Sequence, residues 1–267
     1  MNDFVIKNNV LVEYKGTSSN VIIPEGVTRI GEFVFEGTDV VSVSIPEGVT
    51  HIEQWAFSRC KKLVSVTIPE SVTYIGMGVF CDCESLTAIT IPDGVQQINM
   101  HTFQNCKSLS TVTVPDSVKR IGESAFQGCD ALETISVPES LSDIDPMAFA
   151  DCKSLADQDG FVIINKVLFD YFGQILDVKI PAGVRKISRF HIHDRRDCVF
   201  RVLIPDSVTE IAKNAFGWYG AFWITIPASV TQIGEDALTC GYRTVCVPAG
   251  SYAEQYAKEN DIPYVLI

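Results

Sequence analysis

A 23-residue phrase recurs along the chain, and it limits the possible folds more than any other property of the sequence. Its clearest copies end in Ile45-Pro46, Ile68-Pro69, Ile91-Pro92, Val114-Pro115 and Val137-Pro138. Behind each Pro the same template returns: Val at +3, Ile at +6, an Ala-Phe-like pair at +10 and +11, Cys at +14 and Leu at +17. The copy after Pro69 supplies Val72, Ile75, Val79-Phe80, Cys83 and Leu86. The copy after Pro92 supplies Val95, Ile98, Thr102-Phe103, Cys106 and Leu109. A fixed period of roughly 20 to 29 residues predicts a solenoid, in which each unit buries its apolar face only against its neighbours. Such a fold offers a long surface and no evident catalytic pocket.

Each unit reads residue by residue. In Val64-Ser65-Val66-Thr67-Ile68-Pro69, alternation puts Val66 and Ile68 on one face and Ser65 and Thr67 on the other, the pattern of a short half-buried strand. Pro69 has no N–H and ends the ladder. Pro at i+1 with Gly at i+3, as in Ile45-Pro46-Glu47-Gly48, suits a type I turn. A second extended piece, Val72 to Ile75, stops at Gly76, and the Phe80 stretch is expected to make a short helical or 3₁₀ turn with its ring in the core. The copies after Pro24, Pro205 and Pro227 follow the template less strictly, and Val247-Pro248 closes the series.

A longer echo runs beneath the repeat. Phe4-Val5-Ile6, Val10-Leu11, Tyr14 and Gly16 match Phe161-Val162-Ile163, Val167-Leu168, Tyr171 and Gly173 at a constant offset of 157. Both stretches read as a β-hairpin preceding a block of repeats. One solenoid is therefore expected over 1–267: a first block with its hairpin at 1–158, a second at 159–246 and a C-terminal cap at 247–267. The offset is not a multiple of 23, so a bulge or kink is expected near Leu155 to Gly160. In the cap, Ser251-Tyr252-Ala253-Glu254 reads as a capping box, with Tyr252, Ala253, Tyr256 and Ala257 as the apolar stripe of a short helix. A last strand is expected from Pro263 to Ile267.

Composition closes off several classes of function. Hydrophobic content of 46% excludes disorder, and no apolar run is long enough to insert into a bilayer. A net charge of −12 argues against nucleic acid and anionic membranes as partners. The start, Met1-Asn2-Asp3-Phe4, carries no secretory signal as written, which favours a cytoplasmic protein; a trimmed surface or secreted domain is the alternative. Of nine Cys, Cys60, Cys83, Cys106, Cys129 and Cys152 share one template position and are expected to form an inward column of free thiols. Strands about 4.8 Å apart leave parallel Cβ vectors poorly placed for the ~3.8 Å separation that a disulfide needs.

The phrase from Cys60 and Leu63 through Val66, Ile68-Pro69, Val72, Ile75-Gly76 and Val79-Phe80 to Cys83 resembles the BspA-like leucine-rich-repeat family, and the resemblance covers nearly the whole chain. It implies a β-lined solenoid of a kind found mostly in surface-associated proteins, with links to adhesion. It implies no shared catalytic residues, and no catalytic, cofactor or metal site is assigned.

Four features remain as candidate sites. The first is the outward Ser/Thr pairs, such as Ser65/Thr67 and Thr111/Thr113, which line a hydroxyl-rich face that strand propensity alone explains. Second, Arg185, Lys186, Arg189, Arg195, Arg196 and Arg201, opposed only by Asp194 and Asp197, reverse the charge of the chain where the template fails. The third, His191, His193 and Asp194, with Asp197 or Cys198, is a weak metal constellation; His51 and His101 read as ordinary surface residues. Fourth, Trp223 falls in the outward column that Ser or Thr holds elsewhere, one turn from Arg201. Arg195, Arg196, Arg201 and Trp223 are accordingly the expected partner-binding residues. The chain is read as a monomeric, non-catalytic scaffold for a protein or a glycan, with a segment of a bacterial surface adhesin as the alternative.

Overall fold

The structure, a computed structural model, describes residues 3–141, 143–173, 177–191, 200–217, 222–238 and 243–267. It is a β-solenoid of about ten Pro-punctuated turns, and it divides into two compact units, Met1–Leu155 and Ala156–Ile267. Among the described residues there is one α-helix, Tyr252–Glu259, and one 3₁₀ turn, Lys153–Leu155.

In the first unit every coil contributes to three ladders. The strand before each Pro pairs in parallel with its counterpart one repeat on: Ser42–Ser44 with Ser65–Thr67, and Ala88–Thr90 with Thr111–Thr113 and then Thr134–Ser136. Their central residues Val43, Val66, Ile89 and Val112 are buried, while the flanking residues, all hydroxyl-bearing except Ala88, lie on the opposite face as the alternation requires. Two-residue strands such as Tyr74–Ile75 form the second ladder. Gly76 follows because a Cβ there would sit 2.6 Å from the Gln54 backbone nitrogen of the preceding coil.

The turn between these strands closes one residue later than the sequence suggests. Val49 donates to the Pro46 carbonyl, so Pro46 is the first residue of the turn, and Gly48 takes the third position with φ +97. That positive φ marks a type II turn, which glycine adopts without strain.

The Ala-Phe stretch is not helical in any of these coils. Its N–H groups alternate between local and inter-coil acceptors. Ala56, Ser58 and Cys60 donate three residues back to Glu53, Trp55 and Phe57, while Trp55, Phe57 and Arg59 donate to Met77, Val79 and Cys81 of the next coil. This third ladder needs left-handed residues at two places per coil. One falls nine residues after the Pro, at Phe33, Trp55, Gly78, His101 and Ser124; the other falls thirteen after it, at Gly37, Arg59, Asp82, Asn105, Gly128 and Asp151.

Between the ladders lies a column of rings. Phe35, Phe57, Phe80, Phe103, Phe126 and Phe149 stack with centroids 4.9 to 5.6 Å apart and planes within 15° of parallel. Complete burial of such a side chain stabilises by about 1.5–3 kcal/mol, and ring pairing adds to it. The Phe4–Lys7/Val10–Tyr14 hairpin starts the column, with Tyr14 4.9 Å from Phe35 and 5.3 Å from Phe4.

The second unit repeats this plan. Phe161–Ile164 and Val167–Tyr171 form a hairpin with the same irregular register as the first, and Tyr171 again opens an aromatic series, 5.3 Å from Phe190. In the coil after Pro181, where the sequence has no Ala-Phe pair at the template position, Phe190 supplies the core ring. It is buried, lies 5.3 Å from Phe216 and donates to the Ala215 carbonyl, just as Phe80 donates to Thr102. The chain reaches the core position nine residues after Pro181 rather than eleven.

A five-stranded parallel sheet forms the outer face of this unit: Asp177–Lys179, Phe200–Leu203, Phe222–Thr225, Arg243–Val247 and Tyr264–Leu266. The helix Tyr252–Glu259 buries Ala253, Tyr256 and Ala257. Tyr252 departs from the expected stripe: it points outward and is 43% exposed.

Candidate functional site

Parallel pairing in the second unit sets side chains in rows across its outer sheet. Val178, Val202, Ile224 and Val245 form the buried row. Beside it, on the outward face, run Asp177, Arg201, Trp223 and Thr244, and then Lys179, Leu203, Thr225 and Cys246. The register therefore brings Arg201 directly beside Trp223, as the template spacing predicts. Trp223 is 45% exposed and Leu203 46%; the equivalent columns of the first unit hold mostly Ser and Thr, with Asn20, Ile22 and Ala88 as the exceptions.

The two rows enclose a shallow trough of about 430 Å³, lined by Asp177, Lys179, Arg201, Leu203, Trp223, Thr225 and Cys246. Its floor is apolar and its rim carries two cations and one carboxylate. Among the described residues neither Arg201 nor Lys179 has a carboxylate within 4 Å, whereas Lys186 holds Glu210 at 2.7 Å and Lys213 holds Glu235 at 2.5 Å. The strands beneath Trp223 are paired on both sides, so their backbone N–H and C=O groups face neighbours rather than the trough.

The basic cluster expected from the sequence is only partly a surface. Arg189 is buried and donates to the fully buried Asp170 carboxylate at 2.6 Å, so it belongs to the interior of the unit. Lys186 is committed to Glu210. Arg195 and Arg196 lie outside the described residues, as do His193, Asp194, Asp197 and Cys198. No cluster of three His, Cys, Asp or Glu suited to a metal ion lies among the described residues.

His51 and His101 are less ordinary than the sequence implies, since both are half-buried. His51 lies 2.8 Å from the Thr50 hydroxyl and packs on Tyr74. His101 stacks on Trp55 two coils away, at 6.2 Å between centroids. Gly78 in the intervening coil makes room for this, because a Cβ there would fall 2.2 Å from the indole.

The thiol column forms as its spacing predicts. Cys60, Cys83, Cys106, Cys129 and Cys152 form no disulfide, and each Sγ donates to the carbonyl of a core Phe in the preceding coil at 2.9 to 3.1 Å. Burial pushes the Cys83, Cys106 and Cys129 thiols well above the usual range, and Cys60 upward as well. Cys81, beside the column, is pushed up to about 12, by burial first and by the Asp82 carboxylate second.

Stacked coils with a Pro-terminated strand, an inward Cys and a core Phe define a leucine-rich-repeat type of solenoid. The chain matches the BspA type Leucine rich repeat region in six copies, over residues 6–129, 75–194 and 197–248, and it belongs to that family. Among solved structures it is similar to a leucine rich cell surface protein of Faecalibacterium prausnitzii, at 23% identity and TM-score 0.57, covering 95% of this chain and 94% of that one. A leucine-rich repeat protein of Bacteroides ovatus gives 20% identity and TM-score 0.57 over 100% and 91% of the two chains. The pneumococcal vaccine antigen PcpA gives 17% identity and TM-score 0.53 over 93% and 79%. No curated protein matches the chain. No helix among the described residues is long and apolar enough to cross a membrane.

Proposed function

We propose that the protein is a non-catalytic binding scaffold and that its partner docks on the outer sheet of the second unit. The observation that carries this reading is Trp223, nearly half exposed, set in register beside Arg201, which has no carboxylate partner among the described residues, with exposed Leu203 in the neighbouring outward column. Exposed Trp and Arg around an apolar centre have the composition of an interface hot spot. The coils themselves serve as a rigid frame, because their cores are filled and their strands continuously paired.

A surface-exposed role in a bacterium is the second reading. It is supported by likeness in fold to a protein described as a leucine rich cell surface protein and to a vaccine antigen. The two readings share one site.

The test is capture from host extracellular and bacterial cytosolic extracts in parallel, followed by binding kinetics with the partner isolated. Arg201→Ala is expected to slow association and to flatten its dependence on salt, as a rim charge does. An association rate that is unchanged and equally salt-sensitive in that variant removes the site from this face.

A further inference from the structure

Resting on that reading of the site, we infer that the trough recognises a carboxylate-bearing sugar. Three observations converge on this chemistry. The indole of Trp223, with Leu203 and Thr225 beside it, gives a flat apolar platform open to solvent. A pyranose presents a matching face of C–H groups, whose slight positive charge suits the electron-rich face of an aromatic ring. Arg201 and Lys179 stand on the rim without carboxylate partners among the described residues, in a chain whose net charge is −12. A carboxylate on the ligand would take charge-assisted hydrogen bonds from them, bidentate from the planar guanidinium of Arg201. Asp177, in register with Arg201, supplies an acceptor that suits the hydroxyls of the same ring.

The alternative occupant with the same charge is an acidic peptide, and the sheet disfavours it. A peptide that docks by adding a strand needs a free sheet edge beneath its central anchor. The strands under Trp223 already use their backbone groups on both sides; of the strands lining the trough, only Asp177–Lys179 at the end of the sheet pairs on one side, and it lies two strands away from Trp223. A sugar carries its hydrogen-bonding groups on its periphery and is held by side chains. The volume of about 430 Å³ lies in the range of small-ligand sites.

The experiment is calorimetric titration of the full chain with four probes: a galacturonic acid tetrasaccharide, sialyllactose, a neutral galactose tetrasaccharide and a hexaglutamate peptide. At least one of the two acidic sugars is expected to bind roughly tenfold or more tightly than the neutral one, the value of one charge-assisted hydrogen-bonded contact. Which of them binds separates a uronic from a sialic source. Trp223→Ala should abolish binding, and Arg201→Gln should bring the acidic sugar down to the level of the neutral one. Both variants are expected to melt at the wild-type temperature, since both side chains are at the surface. Equal affinity for acidic and neutral sugars, or silence with every probe, overturns the inference. Tighter binding of the peptide also overturns it, but keeps the scaffold reading.

Discussion

The column thiols make a testable statement residue by residue. In the folded chain Cys60, Cys83, Cys106 and Cys129 are shielded from water and donate to carbonyls, which holds them neutral. Their folded pKa lies above the ordinary value of 9.0, so above that pH the unfolded chain releases protons that the folded chain retains. Stability is then full below pH ~9 and falls as pH rises towards the folded values. Urea midpoints between pH 8 and 10.5 should fall, and a Cys106→Ala, Cys129→Ala variant should fall less steeply; a flat wild-type profile refutes the assignment. Titration in denaturant without reductant should find all nine thiols of the chain. This column was legible from spacing alone. The left-handed residues were not, although Asp82, Asn105, Gly128 and Asp151, each just before a column Cys, are types that tolerate φ > 0. The apolar template hid them because they are polar and differ from coil to coil.

At the scale of elements, each coil leans on its neighbours. Phe103 is stacked between Phe80 and Phe126, and Phe103→Ala should cost about 3–5 kcal/mol, as comparable ring deletions do. Hydrogen exchange should then quicken across residues 80 to 126, with the second unit little changed. Loss spread evenly over the whole chain would instead mean a single cooperative core. The cap helix carries its own prediction. Ser251 Oγ accepts from the Glu254 amide at 3.2 Å, and the Glu254 carboxylate accepts from Lys258 and from the Gly250 amide, each at 2.6 Å. The sequence motif was right in kind, but the carboxylate reaches Gly250, one residue further back than a standard capping box. Ser251→Ala should cost about 1 kcal/mol. The Lys258 ammonium first, then the Gly250 amide, hold Glu254 below its ordinary value of 4.5. Its contribution is present above that pH and is lost as pH falls through the folded value. Protection of the helix amides, taken relative to their intrinsic exchange rate at each pH, should therefore fall on acidification, and Glu254→Gln should remove that dependence; an unaltered acid response in the variant would contradict it.

Over the whole molecule, two hairpins related by 157 residues each open a series of coils with a Tyr at the head of an aromatic column. That plan could be read from the sequence because hairpins, Pro-ended strands and core rings all have fixed spacing. The site could be read only in part. Register alone placed Trp223 next to Arg201, but nothing local distinguished Arg189, which pairs with Asp170 nineteen residues earlier in the chain, from an exposed Arg. The trough was hidden for a similar reason: Lys179 and Cys246 join it through parallel pairing across four strands. The central claim is that binding belongs to this face and not to the hydroxyl face of the first unit. With a captured partner in hand, dissociation constants should be compared for Trp223→Ala and for the Thr111→Ala, Thr113→Ala double variant. The expected result is a loss of more than about 1 kcal/mol for Trp223→Ala and no change for the double variant. Undiminished affinity in Trp223→Ala with weakened binding in the double variant would contradict it and move the site to the first unit.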